Sequence, residues 1–288
     1  MNRIYFHSSD LDGHCSGAIC KMFDPEAELV GMNYDKKFPF EDITPEDEVY
    51  MVDFSLEPFE GMISLKEKCK ELHWCDHHHS ALEDAKKNDF KTSGLAYDGE
   101  AGCLLTWKYL FGQKPVPETV QLLSDYDTHK KNVLNWNSHV LPFQFGLRME
   151  ETWPSDVYGF GLWEKLLKFD SEGESAKLFT EQGVAALKYK KQTDIIACRG
   201  GSFPTVLDGI RCIAINSPGA NSQTFESVWD PEMYDAMLNF FWKRGQWTVV
   251  MFSDKEDVDV SETAVRHGGG GHKGAAGFQC KNLPFEMK

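Results

Sequence analysis

The chain of 288 residues is short of positive charge: 30 Lys and Arg stand against 45 Asp and Glu, a formal charge of −15 with the ten His counted neutral. Proteins that grip long duplex DNA by neutralising phosphates normally carry a basic footprint, so this balance argues against that class and limits any nucleic-acid partner to short pieces. Long apolar runs are missing as well. Nothing approaches the roughly 18 apolar residues of a membrane span, and the opening Met1-Asn2-Arg3-Ile4-Tyr5-Phe6-His7 turns polar too early for a signal peptide. A cytoplasmic protein with no membrane partner is the expectation. The eight cysteines contain no Cys-x-x-Cys pair and lie scattered in apolar or helix-like stretches, the pattern of reduced thiols packed as small hydrophobes. Internal repeats and low-complexity segments are absent too.

What is present is an ordinary globular composition, 41% hydrophobic and 26% charged, in a chain long enough for two domains that each bury a core. In the N-terminal half, β-type runs at residues 3–7, 28–34, 48–54 and 72–76 alternate with helical stretches at 17–23, 58–71 and 101–111. Such alternation predicts an α/β domain with a parallel sheet covered on both faces, whose ligands gather at the carboxyl ends of the strands. Residues 115–132 read as a further helix and residues 157–196 as mostly helical. Beyond Arg199-Gly200-Gly201 the texture changes to strands at 211–215, 237–242, 247–252 and 277–280, with a short helix at 260–266. The expected organisation is an N-terminal parallel-sheet domain over residues 1–150, a helical connector over 151–197 and a smaller α+β domain over 198–288.

Chemistry-bearing residues collect where strands end. In His7-Ser8-Ser9-Asp10-Leu11-Asp12-Gly13, a loop after the first strand can aim an imidazole and two carboxylates at a divalent cation. Taken alone, Asp-x-Asp-Gly is more often a surface turn. Three further sites shift the balance. Asp53 closes the third strand, where an acid has no packing role. Asp76-His77-His78-His79 closes the fourth, and Asp125 and Asp127 close the apolar part of a helix, where an anion opposes the helix dipole and needs a compensating cation. Parallel strands would bring these segments to one edge of the sheet. Near the C-terminus, Gly268-Gly269-Gly270-Gly271-His272-Lys273 could turn backbone N–H groups on an anion, with Arg266, His272 and Lys273 supplying charge or a stacking surface. A glycine run is usually a flexible linker. Its place between a predicted helix and a terminal strand disfavours that here. Trp153, Trp163, Trp229, Trp242 and Trp247 could stack on bases, yet large aromatics at such spacings are more often core, and none is nominated.

These motifs, in this order and spacing, resemble the DHH phosphoesterases. The segment from Gly268 through His272 to Gly274-Ala275-Ala276-Gly277-Phe278 closely resembles the hallmark of the DHH-associated substrate-binding domain found in one branch of that family. The resemblance implies that His7, Asp10, Asp12, Asp53, His77 and Asp125 ligate two divalent cations, with Asp53 bridging them. Manganese is the expected metal and magnesium the other choice. Between the neighbouring acids, Asp125 is preferred and Asp127 stays open, as does the role of the extra His79. His78 is implied to face the substrate phosphate or to orient the nucleophile. Arg266, Gly269, Gly270, Gly271 and His272 are implied substrate contacts.

Two such cations can activate a bridging water and clamp a phosphoryl group in line, so no serine or cysteine nucleophile is needed. The size of the chain leaves no room for the added nucleic-acid modules of the large single-strand exonucleases, and the glycine segment argues against the related pyrophosphatases, which carry a different C-terminal domain. The expected activity is that of an oligoribonuclease-like phosphodiesterase, hydrolysing very short oligonucleotides to nucleoside monophosphates. The alternative is a phosphatase or phosphodiesterase for a small signalling nucleotide, a 3′,5′-bisphosphate or a cyclic dinucleotide. A non-catalytic nucleotide sensor comes third, and a homodimer is left open.

Overall fold

The computed structural model describes residues 2–112, 114–168 and 173–287. It divides into two compact units, Met1–Leu187 and Lys188–Lys288.

The first unit is built on four parallel strands, β1 (Asn2–His7), β2 (Glu28–Met32), β3 (Glu48–Val52) and β4 (Glu71–Cys75), in the order β2-β1-β3-β4. Both faces are apolar, as a parallel sheet requires. Alternate residues divide between them: Tyr5, Val49, Met51, Leu72 and Trp74 pack with Met62 and Leu65 of α2 (Glu60–Lys68) and with Ala81 and Ala85 of α3 (His79–Lys87). Ile4, Phe6, Tyr50 and Val52 face the other way, onto Cys20 of α1 (Leu11–Phe23) and Leu105 of α4 (Gly102–Phe111). Outside α1 and α4 lies a second apolar layer, to which α5 (Glu118–Asp127), α6 (Leu141–Leu147) and α7 (Val157–Leu166) contribute Leu123, Phe143 and Trp163. Helix α8 (Glu174–Gly201) runs across the boundary between the units.

The four N-terminal strands form where the apolar runs predict them. Helix α1 starts six residues earlier than the expected 17, because Asp10 caps it by accepting a hydrogen bond from the Gly13 amide at 2.9 Å. Asp12 therefore stands on the first helical turn and not in a loop. Gly13 permits the fit: a Cβ there would lie 1.9 Å from the His7 carbonyl oxygen.

The second unit carries a mixed six-stranded sheet in the order β5-β6-β7-β8-β10-β9, from β5 (Phe203–Leu207), β6 (Ile210–Asn216), β7 (Ala236–Lys243), β8 (Gln246–Phe252), β9 (Gly270–His272) and β10 (Ala275–Cys280). In this sheet only β6 and β7 pair in parallel. Helix α9 (Val260–Arg266) packs Val260 and Ala264 into the core over that sheet. Among the described residues, no helix is long and apolar enough to cross a membrane.

Candidate metal centre

The carboxyl edge of the first sheet gathers the acids and histidines. β1 delivers His7, whose ring stacks on Phe54 with centroids 5.9 Å apart. Asp10, held as the α1 cap, puts Oδ2 2.9 Å from His7 Nδ1, and Asp53 Oδ2 lies 3.7 Å from the same nitrogen. Asp12 reaches across to the N-terminus of α4, where its two oxygens accept from the amides of Gly102 (2.8 Å) and Cys103 (2.7 Å). This carboxylate is thus held by a helix N-terminus, where the dipole favours a negative charge.

Asp53 is the centre of the arrangement. It follows β3 directly and continues the pairing with β4 through its amide, which donates to the Cys75 carbonyl at 2.8 Å. Its φ of 53° is left-handed, a conformation that costs a non-glycine residue about 1–3 kcal/mol and is concentrated at functional sites. The turn aims the side chain inward: Oδ1 lies 3.3 Å from His77 Nε2, and only 1% of the residue is exposed. Gly102 is required on the opposite side, since a Cβ there would come within 2.5 Å of Asp53 Cβ.

His77 also approaches Asp127 Oδ2 at 3.2 Å and Asp12 Oδ2 at 3.6 Å. Three overlapping groups result: His7, Asp10 and Asp53; Asp53, His77 and His78; Asp12, His77 and Asp127. His78 is oriented by Asp76, whose Oδ1 lies 2.7 Å from His78 Nδ1 and also accepts from the amides of His77 and His78. The Nε2 side of the ring is left for another partner. Sequence reasoning assigns Asp76 to the motif but gives it no role of its own. Its place two residues before a histidine, at a strand end, is the signal that identifies it as the ring's anchor.

The fourth acidic segment departs from the preferred assignment. Successive helical residues turn by about 100°, so residues two apart cannot face one site. It is Asp127 that joins the cluster. Asp125 turns away and accepts from Gln121 Nε2 at 2.9 Å, with Lys130 Nζ 3.7 Å off. His79 opens α3 on the surface, outside the three groups.

Charge is crowded here. Burial alone would lower the pKa of His7, but Asp10 and Asp53 outweigh it and push it up to about 10. Burial opposes a charged His77 too, and Asp53, Asp12 and Asp127 raise it to about 10. Burial and then the neighbouring Asp12 lift Asp127 to about 7, and burial followed by Asp53 raises Asp12 well above the carboxylate range. Protons thus balance the carboxylates in the metal-free protein. They do so without good hydrogen bonds: His7 Nδ1 and Asp53 Oδ1 are buried and have no aligned partner, although each has an opposite group close by. A buried carboxylate oxygen with no bond is costly. Carboxylate oxygens and imidazole nitrogens converging from several directions are the donor set of a divalent cation, and the residues fit one.

The predicted substrate contacts lie in the second unit. Arg266, at the end of α9, is paired with Asp208 (Nε to Oδ2, 3.2 Å) and donates to Thr263 Oγ1. Gly268, with φ 80°, ends that helix. The following residues are an edge strand and not a loop. Gly270, Gly271 and His272 pair with Gly277, Ala276 and Ala275, and all three are exposed. A Cβ at Gly269 would lie 2.1 Å from the Gly277 carbonyl oxygen, and Gly271 has φ 140°, so glycine is needed at both.

No family model matches the chain. An uncharacterised protein of Acanthamoeba polyphaga mimivirus is 24% identical over 233 residues, and the match takes in 73% of this chain and 49% of the viral one. The chain thus spans about half the length of that curated relative. Among solved structures, the DHH domain of a member of a family of ribosomal proteins superposes with a TM-score of 0.60 at 17% identity, covering 96% of this chain and 82% of the other. A pGpG-specific phosphodiesterase from Vibrio cholerae gives 0.54 at 13% identity, covering 97% and 93%. Parallel N-terminal sheet, mixed C-terminal sheet and these superpositions agree that the chain has the DHH-domain fold.

Proposed function

We propose that this chain is a metal-dependent phosphodiesterase that hydrolyses very short oligonucleotides to nucleoside monophosphates. The observation that carries the proposal is the sharing of Asp53 and His77 among the three ligand groups, which suits two cations side by side better than one. His7, Asp10 and Asp53 would hold one, and Asp53, Asp12, His77 and Asp127 the other; the oxygen and imidazole set suits manganese, with magnesium second. When bound, the pair would supply Lewis-acid polarisation of the phosphoryl oxygens and an activated water.

The chain's own residues do the rest. The Asp12 grip on the α4 amides and the turned backbone at Asp53 fix both carboxylates before any ligand arrives. His78, clamped through Nδ1 by Asp76, presents a ring whose pKa, lowered by burial but raised further by Asp76, stands at about 9. Held in this orientation, the ring would contact a non-bridging phosphate oxygen or the departing oxygen. The exposed Gly270–His272 strand is proposed to contact the nucleotide, with His272 as a stacking or charged partner.

One neighbour is named for pGpG, so a linear dinucleotide belongs in the first substrate panel, beside trinucleotides, a 3′,5′-bisphosphate and cyclic dinucleotides. Labelled dinucleotide and purified protein with manganese should release mononucleotide. No release with any divalent metal, while nucleotide still binds, would turn the reading to a sensor.

A further inference from the structure

Beside the metal centre the first unit has a cavity of about 560 Å³ that none of the ligand residues lines. It is lined by the chain that leaves β2, the chain that leaves β3 and the start of α2, at the edge where ligands of parallel sheets collect. Its lining is mixed, with the rings of Tyr34, Phe38, Phe40 and Phe54 beside lysine and glutamate side chains. Two of these rings form the partition with the metal centre. Phe54 stacks on His7, and the Tyr34 ring lies 4.9 Å from the Phe54 ring and 5.9 Å from His7, so the wall is one ring thick. Tyr34 is 44% exposed. Asn33, also in the lining, donates to Ser9 Oγ in the His7–Asp12 segment at 2.7 Å, tying the two sites together. Lys36 Nζ, in the lining as well, is tethered to the Gly31 carbonyl at 3.2 Å.

An exposed aromatic ring at the rim of a phosphate site is a surface on which a nucleobase stacks, and a cavity of this volume lies in the range of small-molecule sites. We propose that this cavity receives the nucleobase attached to the phosphate that the metal centre holds, with Tyr34, the exposed ring of the partition, as the stacking platform. The assignment rests on the phosphodiesterase reading for its substrate, but its test does not. Calorimetry with the manganese-loaded protein compares nucleoside 5′-monophosphates with ribose 5-phosphate, which keeps the phosphate and lacks the base.

In the wild type the nucleotides should bind about tenfold or more tightly than ribose 5-phosphate, in keeping with base–aromatic stacking. Tyr34→Ala removes the platform at an exposed position, and Ser64→Trp fills the cavity from its exposed rim on α2. In both, the advantage of the base should shrink to less than about twofold while ribose 5-phosphate affinity holds. No advantage in the wild type, or an advantage that survives both variants, overturns the proposal. Dinucleotide turnover is measured separately. If turnover is absent but the base-dependent difference follows the variants, the phosphodiesterase reading fails and the cavity assignment stands; the reverse pattern fails the cavity alone.

Discussion

Asp53 and Asp127 are the carboxylates on which the proposed metal centre depends. Asp53→Asn keeps the shape of the side chain and removes a charge shared by two ligand groups. Its effect on turnover should exceed the roughly tenfold to hundredfold loss typical of partners outside a metal's immediate ligands. The neighbouring acids separate the two readings of α5. Asp127→Asn should weaken manganese binding at least about tenfold by calorimetry, and Asp125→Asn, at a side chain bonded to Gln121, should leave it within about twofold. A reversed order would restore Asp125 as the ligand. Sequence pattern could not choose between them, because both follow the same apolar segment and only the helical phase sets which one faces inward.

The histidines also fix the pH response. A group whose folded pKa is raised above its unfolded value stabilises the fold fully below the unfolded value, and that contribution is lost as pH rises through the folded one. For His7 and His77 the window runs from about 6.5 to about 10. Asp127, raised by burial and Asp12 to about 7, costs stability as it ionises, so it acts in the same direction at lower pH. The melting temperature of metal-free protein should therefore fall between pH 7 and 10, and excess manganese should largely remove the fall, since binding releases the same protons. A melting temperature that rises over this range without metal would refute the crowded site.

At the scale of elements, the packing of α1 and α4 against the strand ends sets the geometry, and glycine permits it. Gly13→Ala would drive a methyl into the His7 carbonyl, and Gly102→Ala would push one against Asp53. Overpacking of this kind costs about 1–3 kcal/mol. Both should lower the melting temperature of the first unit, and Gly102→Ala should also weaken metal binding because Asp53 is what must move. Unchanged metal affinity in Gly102→Ala would mean that α4 can retreat without disturbing the site.

Elements differ in how far the sequence reveals them. β1 to β4 are legible because strands buried on both faces read as short continuous apolar runs. The start of α1 is not, because its first turns carry Asp12, Gly13, His14 and Ser16, which have no apolar periodicity; the signal is the Asp10 cap. Helix α3 opens inside a histidine run whose pattern points to chemistry and masks a short amphipathic helix. β9 is written almost wholly in glycine, which has no strand preference, and forms because β10 offers it an edge.

For the whole molecule, the charge of −15 changes its meaning. Asp10, Asp12, Asp53, Asp76 and Asp127 are placed at one edge of one sheet by strand ends and helix termini. Two divalent cations would bring a local charge of about +4 and turn that acidic edge into a phosphate site. The acids then limit the substrate to something held through metal. The order of motifs along the chain is readable without coordinates. Their meeting is not, since it depends on four strands running in parallel and on which carboxylate each turn points inward.

The claim that this edge is a two-cation hydrolytic centre built around Asp53 is tested most directly by one assay. Release of mononucleotide from a labelled dinucleotide is followed with manganese, for wild-type protein and for Asp53→Asn, with bound metal counted in both. Mononucleotide release at two manganese ions per wild-type chain, with turnover and part of the metal lost in Asp53→Asn, is the predicted result. Full turnover in Asp53→Asn with its metal intact would contradict it.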